Sequence, residues 1–246
     1  RLVPDELAIK IFEEEVLPKD LNHDIILDGY PRTEEQAKHL KEYLESKFPF
    51  ENVKLEFFEK ANELVKRRYQ LSPLNFKTTA EVMPHVDKMF NLFNESYASL
   101  SSFVAISDTQ KEYFKKKYIS FINPEFIKFV EDKDHNLVAF SIVMPSFSEA
   151  LQKSKGKLFP FGFLHLLKAK KHSKDMIFYL IGVHPDYQNK AVTAIIFNEY
   201  YHTFKEKGIV NCFRTPELAD NVAIHNLWKH FHPVVHKRRC TFLKVL

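Results

Sequence analysis

The chain has 246 residues, 45% of them hydrophobic and 28% charged, with 24 Phe and 10 Tyr to build a core; these values sit in the ordinary range for soluble globular proteins. A net charge of +4 and a pI near 8.8 are mildly basic, which reads as a solvated surface rather than a nucleic-acid interface. Cys212 and Cys240 have neither metal-ligand nor disulfide spacing, and no run approaches the roughly 18 apolar residues of a spanning helix. No metal, no membrane partner and a reduced, cytoplasmic setting are therefore expected, with no signal peptide at the start. The charge is uneven: residues 1–50 hold 7 Lys and Arg against 12 Asp and Glu, the remainder 29 against 20. That shift predicts two units of different origin, 1–52 and 53–246, with the junction near 46–60.

In chain order, residues 5–16 space Leu7, Ile11 and Val16 for a helix behind Pro4 and Asp5. DIIL (24–27) before Asp28-Gly29 reads as a strand and turn. Thr33 to Lys47 reads as a helix opened by a Thr33/Gln36 capping box. A small helix-strand-helix segment is thus expected at the N-terminus. Residues 51–58 are predicted as a strand, and 59–69, 79–101 and 108–118 as helices. FIKFVED (126–132) and NLVAFSIVM (136–144) form a hairpin around Lys133-Asp134-His135. Residues 147–171 read as helix broken at Phe159-Pro160-Phe161-Gly162, with Phe159, Phe161 and Phe163 as core or wall. MIFYLIGV (176–183) is too continuously apolar for a half-exposed strand. A helix over 191–206 closed by Gly208, a strand at 209–213, a helix at 217–231 and a strand at 240–246 complete the order. The fold class expected is α/β (α+β), a mixed central sheet flanked by helices.

The unit carrying chemistry is the strand, turn and helix at 179–208. A helix start beyond a strand end aims free N–H groups and the positive end of the helix dipole at an anion such as a pyrophosphate. Lys190 stands there to add charge. The stretch resembles the GNAT superfamily of N-acyltransferases, whose strand ends in V-x-P before Q/R-x-x-G-x-G/A. Val183, Pro185, Tyr187 and Gln188 match, while Ala191 and Thr193 stand at the small or glycine positions. Asn221, Ile224, Leu227, Trp228 and Phe231 follow the family's last helix, with Trp228 where many members carry a Tyr that protonates the CoA thiolate. INPEFIKFV, VMPS, LQKSKGKLFPFGF and LWKHF resemble the C-terminal half of larger GNAT-like bacterial proteins. An upstream domain or an oligomer partner is expected from that likeness.

The resemblance implies an acyl-CoA-dependent N-acyltransferase, most simply using acetyl-CoA, acting on a small-molecule or peptide amine. It places the cofactor at Ile181, Val183, Gln188, Asn189, Lys190, Ala191, Val192, Thr193, Asn221 and Trp228. Catalytic residues stay unassigned, with Cys212, Tyr187 or water as proton donor and Glu149 or Asp175 as base. The departures at Ala191, Thr193 and Trp228 support an alternative, an inactive GNAT-fold binding module. Separately, LVPDEL (2–7) and LDGYPRTEEQA (27–37) resemble adenylate kinase, which implies a magnesium-side Asp28, a phosphate-gripping Arg32 and an adenine-reading Gln36. The phosphate-binding G-x-x-x-x-G-K loop is absent from the chain, so a nucleotide-binding protein without kinase activity is the third reading.

Overall fold

The computed structural model describes residues 4–11, 33–38, 56–100, 103–119, 121–219, 221–231 and 233–235. It divides into two compact units, one of residues 1–53 with 216–246 and the other of residues 54–215.

The larger unit is a five-stranded sheet with helices on both faces. Its helices are α2 (Glu56–Tyr69), α3 (Thr79–Val82), α4 (Val86–Tyr97), α5 (Asp108–Phe114), α6 (Ser148–Lys153), α7 (Gly162–His172) and α8 (Thr193–Lys207). The strands β1 (Ser72–Asn75), β2 (Ile127–Glu131), β3 (Leu137–Pro145), β4 (Asp175–Val183) and β5 (Asn211–Arg214) lie side by side in chain order. All neighbours are antiparallel except β4 and β5, which are parallel. The mixed α/β class is the one expected from the sequence.

The two faces carry separate cores because successive strand residues point to opposite sides. On one face Phe129, Phe140 and Ile142 pack with Val86, Met89, Phe90 and Leu92 of α4. On the other, Phe178 meets Phe197, Tyr200 and Phe204 of α8 at centroid distances of 5.9, 5.4 and 6.1 Å. Phe58 of α2 reaches the same Phe197 edge-on at 5.9 Å. The Tyr200 hydroxyl donates to the Phe126 carbonyl at 3.0 Å, so its buried O–H is satisfied. Burial raises the Tyr200 pKa well above that of an ordinary phenol, so it stays neutral.

Several expectations are corrected. Of the strand predicted over 51–58, residues 51–55 lie outside the described residues and 56–58 are helix instead, because Phe58 and Val65 fall on one helical face and bury there. The helix predicted over 79–101 breaks into α3, a 3₁₀ turn at Met83–His85 and α4, since Pro84 removes a helical N–H. Beyond Phe114 the helix predicted over 108–118 continues as a π-helical turn, Lys115–Ile119. The helix predicted over 217–231 is shorter, α9 (Val222–Trp228) with a 3₁₀ turn Lys229–Phe231. β4 is half exposed, with Tyr179 53% accessible, because the four-residue β5 covers only part of it. The strand buried along its length is β3. Phe159, Phe161 and Phe163 are neither core nor wall, being 81%, 67% and 42% exposed.

In the smaller unit, α1 (Asp5–Ile11) and helical residues 34–38 are described. Thr33 accepts from the Gln36 N–H at 3.2 Å, which is half of the expected capping box. The expected strands at 24–27 and 240–246, and the far ends of the helices at 5–16 and 33–47, lie outside the described residues. No helix among the described residues is long and apolar enough to cross a membrane.

Candidate active site

β5 pairs with β4 only from Asp175 to Phe178, with Thr215 adding a 3.2 Å bond from its N–H to the Phe178 carbonyl. From Leu180 to Val183 β4 has β3 on one side and no strand on the other. Which groups face that open edge follows from the antiparallel register. The His184 N–H donates to the Val138 carbonyl at 2.8 Å, and paired residues alternate along such a ladder. Gly182 and Leu180 therefore also bond to β3. Ile181 and Val183 turn their N–H and C=O groups outward, at positions roughly 7 Å apart.

Both outward carbonyls are taken by side chains. The Tyr97 hydroxyl, in the last turn of α4, donates to the Ile181 carbonyl at 2.9 Å. The Gln188 Nε2 donates to the Val183 carbonyl at 3.3 Å. Among the described residues, no backbone carbonyl accepts from the N–H groups of Ile181 and Val183.

The turn after β4 is built by local capping. Pro185–Tyr187 is a single 3₁₀ turn whose first N–H groups need acceptors, and the His184 Nδ1 takes the Asp186 N–H at 3.2 Å. That bond makes Nδ1 an acceptor and assigns the ring proton to Nε2, which faces Glu95 at 3.6 Å. Beyond it, Asn189 and Ala191 adopt left-handed φ values of 64° and 55°. Ala191 keeps the backbone shape that glycine would favour at its place in the resembled motif, at a cost glycine avoids. The Ala194 and Ile195 N–H groups bond back to the Ala191 and Val192 carbonyls at 2.9 and 3.0 Å. Among the described residues, the N–H groups of Asn189, Ala191, Val192 and Thr193 meet no backbone acceptor. They form a donor cluster at the start of the 15-residue α8.

Lys190 sits over two rings, 4.8 Å from the Tyr187 centroid and 5.2 Å from that of Tyr69. This cation–π seat joins the end of α2 to the turn, a link that sequence spacing did not reveal. The Tyr187 phenol is held above its ordinary pKa by burial first, then by the charges of Asp132, Asp186 and Asp134.

The sequence-selected residues thus separate into groups. Ile181, Val183, Gln188, Asn189, Lys190, Ala191, Val192 and Thr193 lie on one continuous edge and turn. Asn221 caps α9, its Oδ1 accepting from the Ile224 N–H at 3.2 Å, and the buried Trp228 indole donates to Glu217 at 2.9 Å; both belong to the smaller unit. Gln36 is buried there, while Asp28 and Arg32 lie outside the described residues. Cys212 is exposed on β5. Asp175 accepts from Asn211 at 2.9 Å at the far end of β4, and Glu149 pairs with Lys153 at 2.7 Å. Sequence reading missed Tyr97. Its signal, a tyrosine at the end of an amphipathic helix, is common to many core helices.

No family model matches the chain. Part of the chain is similar to adenylate kinases. One from Buchnera aphidicola subsp. Baizongia pistaciae is 54% identical over 41 residues, 17% of this chain and 19% of the relative. One from Thermotoga petrophila is 32% identical over 93 residues, 38% of each. The chain therefore spans between about a fifth and two-fifths of the length of these curated relatives. Among solved structures, it is similar to an aminoglycoside acetyltransferase from an uncultured soil metagenomic sample, in complex with sisomicin. That pair shares 13% identity over 74% of this chain and 99% of the other, with a TM-score of 0.45. An aminoglycoside 6'-N-acetyltransferase from Acinetobacter baumannii matches at 9% identity over 72% and 99%, with a TM-score of 0.42. An aminoglycoside N-acetyltransferase in complex with CoA matches at 9% identity over 71% and 93%, with a TM-score of 0.40.

Proposed function

We propose that residues 53–246 are an acyl-CoA-dependent N-acyltransferase, using acetyl-CoA to acylate an amine in a cytoplasmic setting, with residues 1–52 as an appended adenylate-kinase-like piece. The observation that carries this reading is the continuity between the open edge of β4 and the donor cluster at the start of α8. An extended chain of amides ending in a pyrophosphate needs both, in that order. The outward N–H group of Val183 suits an amide chain, and the N–H groups of Asn189, Ala191, Val192 and Thr193 suit the phosphates. Ala191, with its left-handed φ of 55°, preserves the cradle without glycine.

The chemistry such a site supplies is direct transfer. The amine nitrogen bonds to the acyl carbon, the carbon–sulfur bond breaks, the amine loses a proton and the thiolate gains one. The Ile181 N–H is placed to hold the acyl oxygen as charge builds on it. Tyr97, whose hydroxyl already reaches this part of the edge, is the proposed donor to the thiolate, in place of a tyrosine at position 228. Glu95, on the same turn and half exposed, can attract the cationic amine and take its proton.

A second reading, a GNAT-fold binding module without turnover, is favoured by the side chains that fill the edge. Tyr97 and Gln188 occupy the outward carbonyls, and Lys190 is stacked between two tyrosines. Calorimetric titration of the full chain with acetyl-CoA separates the two readings from the first step. Micromolar binding weakened by Gln188→Ala and Lys190→Met supports the acyl-CoA site, and a thiol-release assay across amines then tests transfer. No binding removes the acyltransferase proposal.

A further inference from the structure

The connection between β3 and β4 is not a tight turn. It is an excursion containing α6 and α7, and α7 buries only Gly162 among its 11 residues. Around it Leu158, Phe159, Phe161, Phe163, Leu164 and Leu167 are each between 42% and 81% exposed. Together they leave on the order of 600 Å² of apolar surface in water, at the upper end of what a monomer carries without use.

The crest is held in shape rather than loose. Phe159 and Phe163 lie 6.4 Å apart, and the Phe163 N–H bonds to the Leu158 carbonyl at 3.0 Å. A Cβ at Gly162 would lie 1.8 Å from the Lys157 carbonyl oxygen, so only glycine lets the turn close this tightly. The base is anchored by Asn123, which donates to the Lys170 carbonyl at 3.1 Å, and by Lys170 over the Phe121 ring at 4.7 Å.

Charge says what the crest faces. Residues 148–172 hold six lysines and one acid, Glu149, and that acid is paired with Lys153. Lys155 and Lys157 stand before the crest, and Lys168 and Lys171 behind it, all exposed. An apolar ridge between lysines complements an anionic bilayer surface: rings and leucines enter the acyl boundary while ammonium groups meet lipid phosphates. We propose that the α6–α7 excursion is a peripheral docking surface for an anionic lipid bilayer. The inference stands apart from the acyltransferase proposal, because docking needs neither acyl-CoA nor turnover. It is also compatible with the lack of a spanning helix among the described residues, since an interfacial element lies on the membrane rather than through it.

The test is sedimentation of the full chain with vesicles at about 0.1 M salt. One set is phosphatidylcholine alone and the other is one-third phosphatidylglycerol. The chain is expected to pellet with the anionic set only and to be released as salt is raised. Lys168→Gln with Lys171→Gln should weaken binding about 25-fold, about fivefold for each charge removed. Phe159→Ser with Phe161→Ser should abolish it while leaving the thermal melt unchanged, as both side chains are exposed. No pelleting with anionic vesicles overturns the proposal, as does equal pelleting with both sets or binding unaffected by the phenylalanine changes. Self-association lost in the phenylalanine variant, without vesicle binding, would assign the crest to a second copy of the chain and also overturn it.

Discussion

The Tyr97 hydroxyl donates a 2.9 Å hydrogen bond to the Ile181 carbonyl, tying the last turn of α4 to the outward edge of β4. Tyr97→Phe removes that hydroxyl bond and keeps the ring. Urea unfolding should show a loss of about 1 kcal/mol. If Tyr97 is the proton donor, turnover should also fall about 100-fold at unchanged acetyl-CoA affinity. Unchanged turnover at the same stability loss would make the tyrosine a structural tie only.

Ala191 holds a left-handed φ of 55°. Ala191→Gly should relieve about 1 kcal/mol of backbone strain and let a phosphate approach the exposed N–H groups more closely. The expected outcome is a higher melting temperature and a lower acetyl-CoA Kd together. Ala191→Val should move both in the other direction, because a β-branched side chain tolerates this φ poorly.

Lys190 is seated between Tyr69 and Tyr187. Lys190→Met should weaken acetyl-CoA binding about tenfold and reduce the salt dependence of that binding. Tyr69→Ala, which removes one wall of the seat but no charge, should have a smaller effect. Calorimetry at two salt concentrations distinguishes the contributions of the ring seat and the charge.

Lys128 is 4% exposed on β2, its ammonium bonded to Asn75 at 2.8 Å and Thr203 at 3.1 Å. Burial lowers its pKa, with Glu199 and Glu125 opposing the shift. The folded chain therefore binds fewer protons than the unfolded chain in the window between this lowered value and the ordinary lysine value. Stability should rise with pH across that window and be insensitive to this group below it. Each pKa unit of lowering corresponds to about 1.4 kcal/mol. Lys128→Met should flatten the rise, which urea midpoints measured from neutral to alkaline pH would show.

Much of the site's backbone was legible in the sequence because it rests on local rules. The run ending in Val183, the Pro185 turn and the Gly208 stop fixed a strand, a tight connection and a helix within two residues of where they lie. Pair geometry was not legible. Nothing in the spacing of Tyr69 and Lys190 says that helix packing brings them together, and Tyr97 reaches Ile181 across 84 positions. Continuous apolar content also misled in two places. The run at β4 reads as buried, but its partner β5 ends four residues in. The phenylalanines at 159, 161 and 163 read as core, but the excursion carries them away from the sheet.

β3 and β4 are adjacent, antiparallel strands, and Pro145 and Met176 at the two ends of the excursion are direct partners in the ladder. The chain thus leaves the sheet and returns to nearly the same place, so a short hairpin would close the ladder equally well. Topologically the excursion is a cassette. It can be lengthened, exchanged or excised without changing strand order, and the edge of β4 that faces α8 would not register the change. The proposed docking surface and the proposed acyl-CoA edge therefore occupy separable parts of the chain, and a change in one need not alter the other.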